Sequence, residues 1–326
     1  MADQSQHYVP QMYLKGFLDP EQVKKRQNVL WIYRAGMKPQ PKGTKAVAAK
    51  NLFYQMPEVP DHQDDIEEAL SQMESAAAPH LEKLRSGDIN LTGQEKGEFA
   101  WFMALLVSRT PFFRDLTDTL GLEEYRQRME KFLEPGALEA GAEKLKAKTG
   151  QAVDIESVRE YARKVAKREV EITQQSRAWS IMEAFKAIPR FGELFARMRW
   201  GLNEGPADGP FITSDNPVIV LDDNARKLGP KNYRPTLGLR FGFPISPKFA
   251  LSGEFVPGAD QRLKADAKWV RSINSSQISR AYVEVYASFK SMDIQAEIDK
   301  VHKERPSVIP NLPADHSRFE QKAPEG

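Results

Sequence analysis

Two short segments, far apart in the chain, carry polar residues of the kinds that perform chemistry within apolar surroundings. In the first, His7 lies just before a helix predicted to start near Pro10 and run to about Phe17, and Gln11 lies in its first turn. Backbone N–H groups at a helix start lack partners and favour an anion. An imidazole at this position could act as a general base or a metal ligand. The alternative is that His7 satisfies a buried backbone group.

The second segment is FITSDNPV, residues 211–218, where an apolar run ends in polar, turn-forming residues. Pro217 favours extended geometry at the residue before it. The Asp215 carboxylate and the Asn216 amide are therefore placed at the end of a predicted strand, where they could meet a ligand. Asp and Asn side chains also bond to nearby backbone, so the same residues could instead stabilise a turn.

A third candidate is Arg109, which follows a strongly apolar helical segment. A guanidinium group beside a buried helix needs an acceptor, and Glu74 or Asp215 could supply it. The alternative role of Arg109 is a structural ion pair. A weaker fourth group, Asn51 and Tyr54 in the sequence NLFY, is equally typical of packing and turns.

These residues allow two hypotheses. In the first, the protein is a hydrolase acting on phosphoesters or nucleic acid. His7 is then the base or a ligand, Asp215 its carboxylate partner, and Gln11, Arg109 and Asn216 donate to a developing negative charge. In the second, the protein is a non-catalytic binding or interaction protein. The same five residues then hold an anion, a peptide or a nucleic acid, or stabilise the junction between sheet and helices.

The residue inventory excludes several classes of site. The 326 residues include no Cys, which excludes disulfides, thiolate metal centres and a cysteine nucleophile. The sequence also lacks the P-loop, the dinucleotide-binding glycine pattern, HExxH and GxSxG. Whether the protein needs a cofactor or a metal stays open, as does the identity of any ligand or substrate.

Charge and hydropathy bear on partners and location. The chain has 47 Lys and Arg against 45 Asp and Glu, so its net charge of +2 does not indicate a nucleic-acid partner. The basic run at residues 159–168 is interleaved with Glu and is typical of a solvated helix face, although a local basic patch stays open. The longest apolar stretch, around residues 99–107, is shorter than the roughly 20 residues that cross a bilayer. No secretory signal begins the chain. We therefore expect a cytoplasmic protein that does not enter a membrane.

The middle of the chain, residues 61–200, is predicted to be helical. Apolar residues recur from Ile66 to Leu84 at spacings of 4, 3, 4, 4 and 3, which places them on one helix face. Thr92, followed by Glu95, predicts a capping box before a buried central helix. Pro79 is expected to bend or break the first helix. A long helix is predicted from Asp154 to about residue 188, where Pro189 interrupts it, and a short helix then reaches Trp200.

Strand character is found on both sides of this region. Residues 28–34 predict a strand and residues 38–43 a loop. Further strands are predicted at 211–213, 218–221, 239–243 and 249–255. Residues 266–287 predict a helix, although 282–286 alternate and would also suit a strand. The fold class is therefore α+β, with the helical middle packed beside or inserted into a small mixed sheet.

We further predict that the early strand shares one sheet with the strands after Pro210, so that the start of the chain folds back onto its last third. The sequence favours a single α+β domain at residues 1–305. The proline-rich residues 306–326 are expected to form a mobile tail.

Four segments, in the order HYVPQMYLKGF, NLFY, RTPF and FITSDNPV, resemble a bacterial family known only as domain of unknown function 4238. The resemblance spans roughly residues 6–290. The matching positions are His7, Tyr8, Pro10, Gln11, Tyr13, Leu14 and Phe17, then Asn51 and Tyr54, then Arg109, and finally Ser214, Asp215, Asn216 and Pro217. It implies a helical region between the first and last segments. Because the family has no known activity, the resemblance groups positions without assigning a mechanism.

Overall fold

The protein combines helices with small sheets, so the predicted α+β class is confirmed. A computed structural model describes residues 5–51, 53, 63–170, 177–222 and 238–304. The helices in this part of the chain are α1 (Gln11–Leu14), α2 (Pro20–Lys24), α3 (Gln63–Arg85), α4 (Gly93–Ser108), α5 (Pro111–Phe132), α6 (Ala137–Thr149), α7 (Ile155–Ala166), α8 (Arg177–Arg197), α9 (Ala267–Arg280) and α10 (Met292–Glu304). A single 3-10 turn, Lys15–Phe17, extends α1 as far as the sequence predicts.

The strands that the structure describes form three sheets. They are β1 (Ser5–His7), β2 (Val29–Tyr33), β3 (Gln40–Gly43), β4 (Ala49–Asn51), β5 (Arg199–Glu204), β6 (Thr213–Ser214), β7 (Ile219–Asp222), β8 (Leu239–Pro244), β9 (Phe249–Glu254), β10 (Gln261–Lys264) and β11 (Val285–Ala287). The strand orders are β1-β4, β3-β2-β11-β6 and β10-β5-β9-β8-β7. All neighbours pair antiparallel except β10 and β5, which are parallel.

The early strand does pair with the last third of the chain, because β2 lies beside β11 and β11 lies beside β6. The prediction of one shared sheet is wrong, however, since β7, β8 and β9 belong to a different sheet. Helices α3 to α8 come between β2 and β11 in sequence. The helical middle is therefore inserted in sequence between strands of the four-stranded sheet, and it packs against the five-stranded sheet.

Helix α4 is the centre of the helical region. The Thr92 hydroxyl accepts the Glu95 N–H, and the Glu95 carboxylate accepts the Thr92 N–H, so the predicted capping box is confirmed. Consecutive residues from Phe102 to Ser108 are buried, as expected for a helix that is apolar around most of its circumference. Helices α3 and α8 pack on either side of it.

Several predicted boundaries in the helical region are wrong. Pro189 lies inside α8, which continues through it, and Pro79 lies inside α3, which is not broken there. That Pro79 bends α3 stays a prediction. A proline removes one helical hydrogen bond, but buried residues on both sides of each proline, such as Leu81 and Phe195, hold the helices together by packing. The predicted long helix from Asp154 ends at Ala166, and residues 171–176 lie outside the described part. Helix α5 lies within the region predicted to be helical, but its bounds were not predicted.

The strand predictions also need correction at three places. Residues 40–43 form β3 rather than a loop, and Pro41 is accommodated because β3 is an edge strand of its sheet. Trp200 lies in β5, not in a helix. It pairs with Gly253 of β9, and its side chain is fully buried in the core. The helix predicted over 266–287 ends at Arg280, and of the alternating segment 282–286 only Val285 and Tyr286 lie in a strand, β11, which runs to Ala287.

The N-terminal segment lies between the two larger sheets. The Tyr13 ring stacks on Phe243 with centroids 5.2 Å apart. Its hydroxyl donates to the Pro244 carbonyl and accepts from the Thr213 hydroxyl, both at 2.6 Å. This buried contact joins α1 to β6 and to β8, and so it fixes the polar residues just before α1 relative to those just after β6.

Within the described residues, no helix has both the length and the apolar character needed to span a membrane. The single-domain boundary stays a prediction. The predicted tail at 306–326 lies outside the described residues.

Candidate functional site

Asp215 is fully buried immediately after β6, where its carboxylate accepts three backbone N–H groups. Oδ1 accepts from Tyr282 at 2.7 Å, and Oδ2 accepts from Val283 and Glu284 at 2.6 and 2.9 Å. The Asp215 N–H donates in turn to the Glu284 carbonyl at 3.0 Å. Asp215 therefore holds the connection between α9 and β11 in place, which is the turn-stabilising role that the sequence left open.

The electrostatic surroundings of Asp215 oppose its ionisation. Burial and the negative charge of Glu284 raise the pKa of Asp215 to about 7, although the three backbone N–H groups act to lower it. The Glu284 carboxylate, itself buried, accepts from Arg34 Nε at 2.8 Å and from the Tyr286 hydroxyl. Burial, followed by the charges of Asp215 and Glu284, raises the pKa of Tyr8. Tyr8 is therefore close enough to the two buried carboxylates for their charge to affect its hydroxyl.

A second group of titratable side chains adjoins the first through Tyr282. The Tyr282 hydroxyl donates to Asp115 Oδ2 at 2.5 Å, and the Lys50 ammonium lies 5.4 Å from the centre of the Tyr282 ring. Burial raises the pKa of Asp115 and lowers the pKa of Lys50. Lys50 directly precedes NLFY, and Asp115 lies three positions after the last residue of RTPF. Residues within or close to all four segments singled out in the sequence thus contribute to the two groups.

His7 and Gln11 meet at Thr44. The His7 Nε2 atom lies 3.2 Å from the Thr44 carbonyl oxygen, and Gln11 Oε1 accepts from the Thr44 hydroxyl at 3.3 Å. Tyr8 lies between these two residues in sequence. That His7 and Asp215 serve one reaction centre stays a prediction.

Arg109 and Asn216 also have backbone partners. Arg109 Nε donates to the Tyr8 carbonyl and Nη1 donates to Glu74, both at 2.7 Å, so Glu74 is the acceptor for this guanidinium group. The Asn216 side chain donates to the Arg280 carbonyl at the end of α9 at 3.1 Å. Asn51 is exposed at the end of β4, and Tyr54 lies outside the described residues.

Sequence reasoning missed Glu284, Tyr282, Lys50 and Asp115. A signal for Glu284 was present, because it is a lone acid inside the alternating apolar segment YVEVY. Lys50 and Asp115 are flanked by the segments already noted, but a charged residue beside a motif is common on any surface. Only the folded arrangement distinguishes them. Among the residues that the structure describes, no group of three or more acids and histidines could hold a metal ion.

A cavity of about 260 Å³ lies on the outer side of the segment that Asp215 holds. Its walls come from the residues after β2, the end of α9, the 281–285 segment and α10. The apolar lining includes Met37, Ile278, Val283, Ile298 and Val301. The polar lining consists of Arg34, Tyr282 and His302. Arg34 thus faces the cavity while its Nε atom bonds to the buried Glu284.

A family model described as protein of unknown function, DUF4238, matches residues 5–291. The chain belongs to this family. No curated protein and no solved structure matches the chain. The DUF4238 match covers both titratable groups, from Tyr8 to Tyr286. It ends immediately before α10, so one wall of the cavity is built by a helix beyond the matched region.

Proposed function

We propose that this DUF4238 protein is a binding protein for a small molecule with an apolar body and one anionic group, held in the cavity between α9 and α10. The observation that carries the proposal is a cavity of about 260 Å³ whose lining is more apolar than polar and includes a guanidinium group. Small-molecule sites commonly measure about 300–1,000 Å³ and combine apolar walls with a few polar groups. The volume favours a ligand at or below the lower end of that range.

Arg34 is the group that would recognise the anion. Its side chain is 37% exposed, and only Nε and Nη2 are bonded to Glu284. Its Nη1 has no hydrogen-bond partner among the residues that the structure describes. Because Glu284 already fixes the guanidinium plane, a ligand carboxylate or phosphate would meet a donor that is oriented before binding. His302, exposed in the last turn of α10, offers a second polar contact.

The hydrolase hypothesis stays a prediction with less support. Both Asp215 oxygens accept backbone N–H groups, so a catalytic role would compete with the turn that they stabilise. A direct check is hydrolysis of a generic phosphodiester and of plasmid DNA by the purified protein. Turnover that disappears in both His7→Ala and Asp215→Ala, with each variant still folded, would favour hydrolysis over binding.

Binding can be tested with matched pairs of small aliphatic or aromatic ligands, each as the carboxylic acid and as the neutral primary amide. A charge-assisted hydrogen bond contributes about 1.5–3 kcal/mol, so the acid should bind about 10- to 100-fold more tightly than the amide in calorimetry. Arg34→Gln should abolish this preference. Equal affinity for acid and amide in the unaltered protein would refute recognition by the guanidinium group.

Since Arg34→Gln leaves Glu284 buried without its partner, a second variant separates binding from folding. Val301→Trp fills the cavity from α10 and leaves the Arg34–Glu284 pair intact, so neither acid nor amide should bind. Val256→Trp introduces the same side chain at a residue that is 39% exposed and is not among the cavity residues, and it should bind normally. Unchanged binding in Val301→Trp would place the ligand elsewhere.

A further inference from the structure

Arg109, which follows α4, has one side-chain nitrogen that finds no acceptor within the described part of the chain. Its Nε and Nη1 atoms donate to the Tyr8 carbonyl and to Glu74. Nη2 is buried and has no hydrogen-bond partner, and the side chain is only 3% exposed. Because nearly all buried donors in proteins are hydrogen-bonded, this N–H group indicates an acceptor from outside the polypeptide.

A small cavity adjoins this side chain. Its volume of about 20 Å³ is enough for one particle of the size of a water molecule. The apolar part of its wall comes from Leu70, Leu105, Ile181, Phe185 and Ile188. The polar residues in the wall are Ser108, Arg109 and Arg114. This cavity is separate from the one beside Arg34, and the two share no lining residue.

The chemistry of the wall favours an anion over water. A buried water needs acceptors for its own hydrogens as well as donors, and it typically makes about three hydrogen bonds. Two of the three polar side chains here are guanidinium groups, which donate and cannot accept. The Ser108 hydroxyl already donates to the Ala104 carbonyl at 3.0 Å, so its oxygen is the one acceptor among these three side chains, and a water molecule would find a partner there for at most one of its two hydrogens. A halide has no hydrogens to satisfy, and it suits a wall of donors and apolar groups.

We infer that this cavity is a binding site for a monovalent anion of halide size, held by Arg109 Nη2. The bound anion would complete the hydrogen bonding of a guanidinium group that joins the Tyr8 carbonyl to α3 and α4. Anion binding would therefore stabilise the contact between the N-terminal segment and the helical region. The inference is independent of the ligand proposed for the cavity beside Arg34.

The first experiment measures thermal stability at constant ionic strength while sodium chloride or bromide replaces sodium gluconate, an anion too large for the cavity. We expect the melting temperature to rise by a few degrees and to saturate with halide, because a ligand that binds only the native state stabilises it. A melting temperature that is the same in chloride and gluconate would overturn the inference.

Variants test whether the response belongs to Arg109. Arg109→Lys keeps the positive charge but removes Nη2, so the halide response should disappear. Ile188→Phe fills the cavity without altering Arg109, and it should also abolish the halide response. If Arg109→Lys fails to fold, this second variant tests whether the halide binds in the cavity. The matched control is Arg85→Lys, because Nε, Nη1 and Nη2 of Arg85 all have acceptors in the chain. Its halide response should remain, and a halide response that persists in Ile188→Phe would overturn the assignment.

Crystals grown in sodium bromide provide an independent measurement. Anomalous scattering at the bromine edge should give a peak beside Arg109 Nη2 in the unaltered protein and none in Ile188→Phe. Density there without an anomalous signal would mean water and would overturn the inference. A peak accompanied by no halide response in solution would indicate an adventitious ion only, which also overturns it.

Discussion

Replacing Asp215 with asparagine tests whether burial, which raises the pKa of this carboxyl group, outweighs the three backbone N–H groups, which lower it. An asparagine keeps one oxygen, which can accept from Val283 and Glu284 as Oδ2 does now. Its NH₂ group then faces the Tyr282 N–H, which loses its acceptor. One buried N–H without an acceptor costs about 1–3 kcal/mol. Measured against neutral Asp215, the variant should be less stable by that amount.

The titration of Asp215 acts in the opposite direction, because it makes the unaltered protein less stable relative to the variant as the pH rises. The pKa of Asp215 is raised from 3.8 to about 7 in the folded protein. Between these values the unfolded chain has released the proton while the native protein retains it. The stability contributed by Asp215 is therefore full below pH 3.8 and falls by about 1.4 kcal/mol per pH unit as the pH rises towards 7. Asparagine does not titrate. The unaltered protein should be the more stable near pH 4 and the variant near pH 8, with a crossing between about pH 4.5 and 6.

The assay is urea unfolding followed by circular dichroism at pH 4, 5, 6, 7 and 8, with the difference in unfolding free energy plotted against pH. Asp154→Asn is the control, because hydrogen bonds from Ser157 lower the pKa of Asp154, and its difference should not fall with rising pH. A variant at position 215 that is less stable than the unaltered protein by a constant amount at every pH would refute the reasoning. It would show that the three N–H groups outweigh burial and keep Asp215 ionised.

Three further predictions concern stability and can be measured by thermal or urea unfolding. Thr92→Ala should lose about 0.5–2 kcal/mol with its capping box, whereas Thr149→Ala, at an exposed helix end, should change stability by less than about 0.5 kcal/mol. Gly253→Ala should destabilise the protein by about 1–3 kcal/mol or more, because the new Cβ would lie 2.0 Å from a ring atom of Phe241. The control Gly97→Ala has open space around it and should gain about 0.5–1 kcal/mol of stability. Tyr13→Phe should lose about 1–3 kcal/mol, because two buried oxygens lose their hydrogen-bond partner. A neutral result at position 13 would contradict the role given to this contact.

The features that could be predicted from the sequence are those determined by neighbouring residues. The Thr92–Glu95 capping box and the buried helix after it depend on residues within a few turns of each other, and both are confirmed. The alternating pattern at 282–286 allowed a strand, because period-two alternation is a local property. The requirement that a buried guanidinium group find an acceptor predicted a carboxylate partner for Arg109 but left Glu74 and Asp215 open, and the structure shows Glu74.

The features that could not be predicted depend on which distant segments pair. Strand β3 contains Pro41, and its sequence is typical of a loop. Proline is compatible with this strand because an edge strand has N–H groups that do not take part in the sheet hydrogen bonds, and the sequence alone does not show that β3 lies at an edge. The division of the strands into separate sheets is likewise a choice among pairings that single-sequence patterns do not rank. Lys50, Asp115 and Glu284 read as ordinary charged residues. They become part of a site only when folding brings segments more than about 150 residues apart into contact.

The relation between Asp215 and the cavity gives a last test, which rests on the proposed binding function. Asp215 does not line the cavity, but it accepts the N–H groups of Tyr282 and Val283, which do. It is therefore a positioning residue for the wall, whereas Arg34 would contact the ligand. Asp215→Asn should weaken the binding of acids and amides by the same factor, because the wall shifts for both. Arg34→Gln should weaken acids alone. Loss of the preference for acids in Asp215→Asn, measured by calorimetry at pH 6 where both proteins are folded, would mean that Asp215 acts through the charge at Glu284 and Arg34 rather than through the shape of the wall.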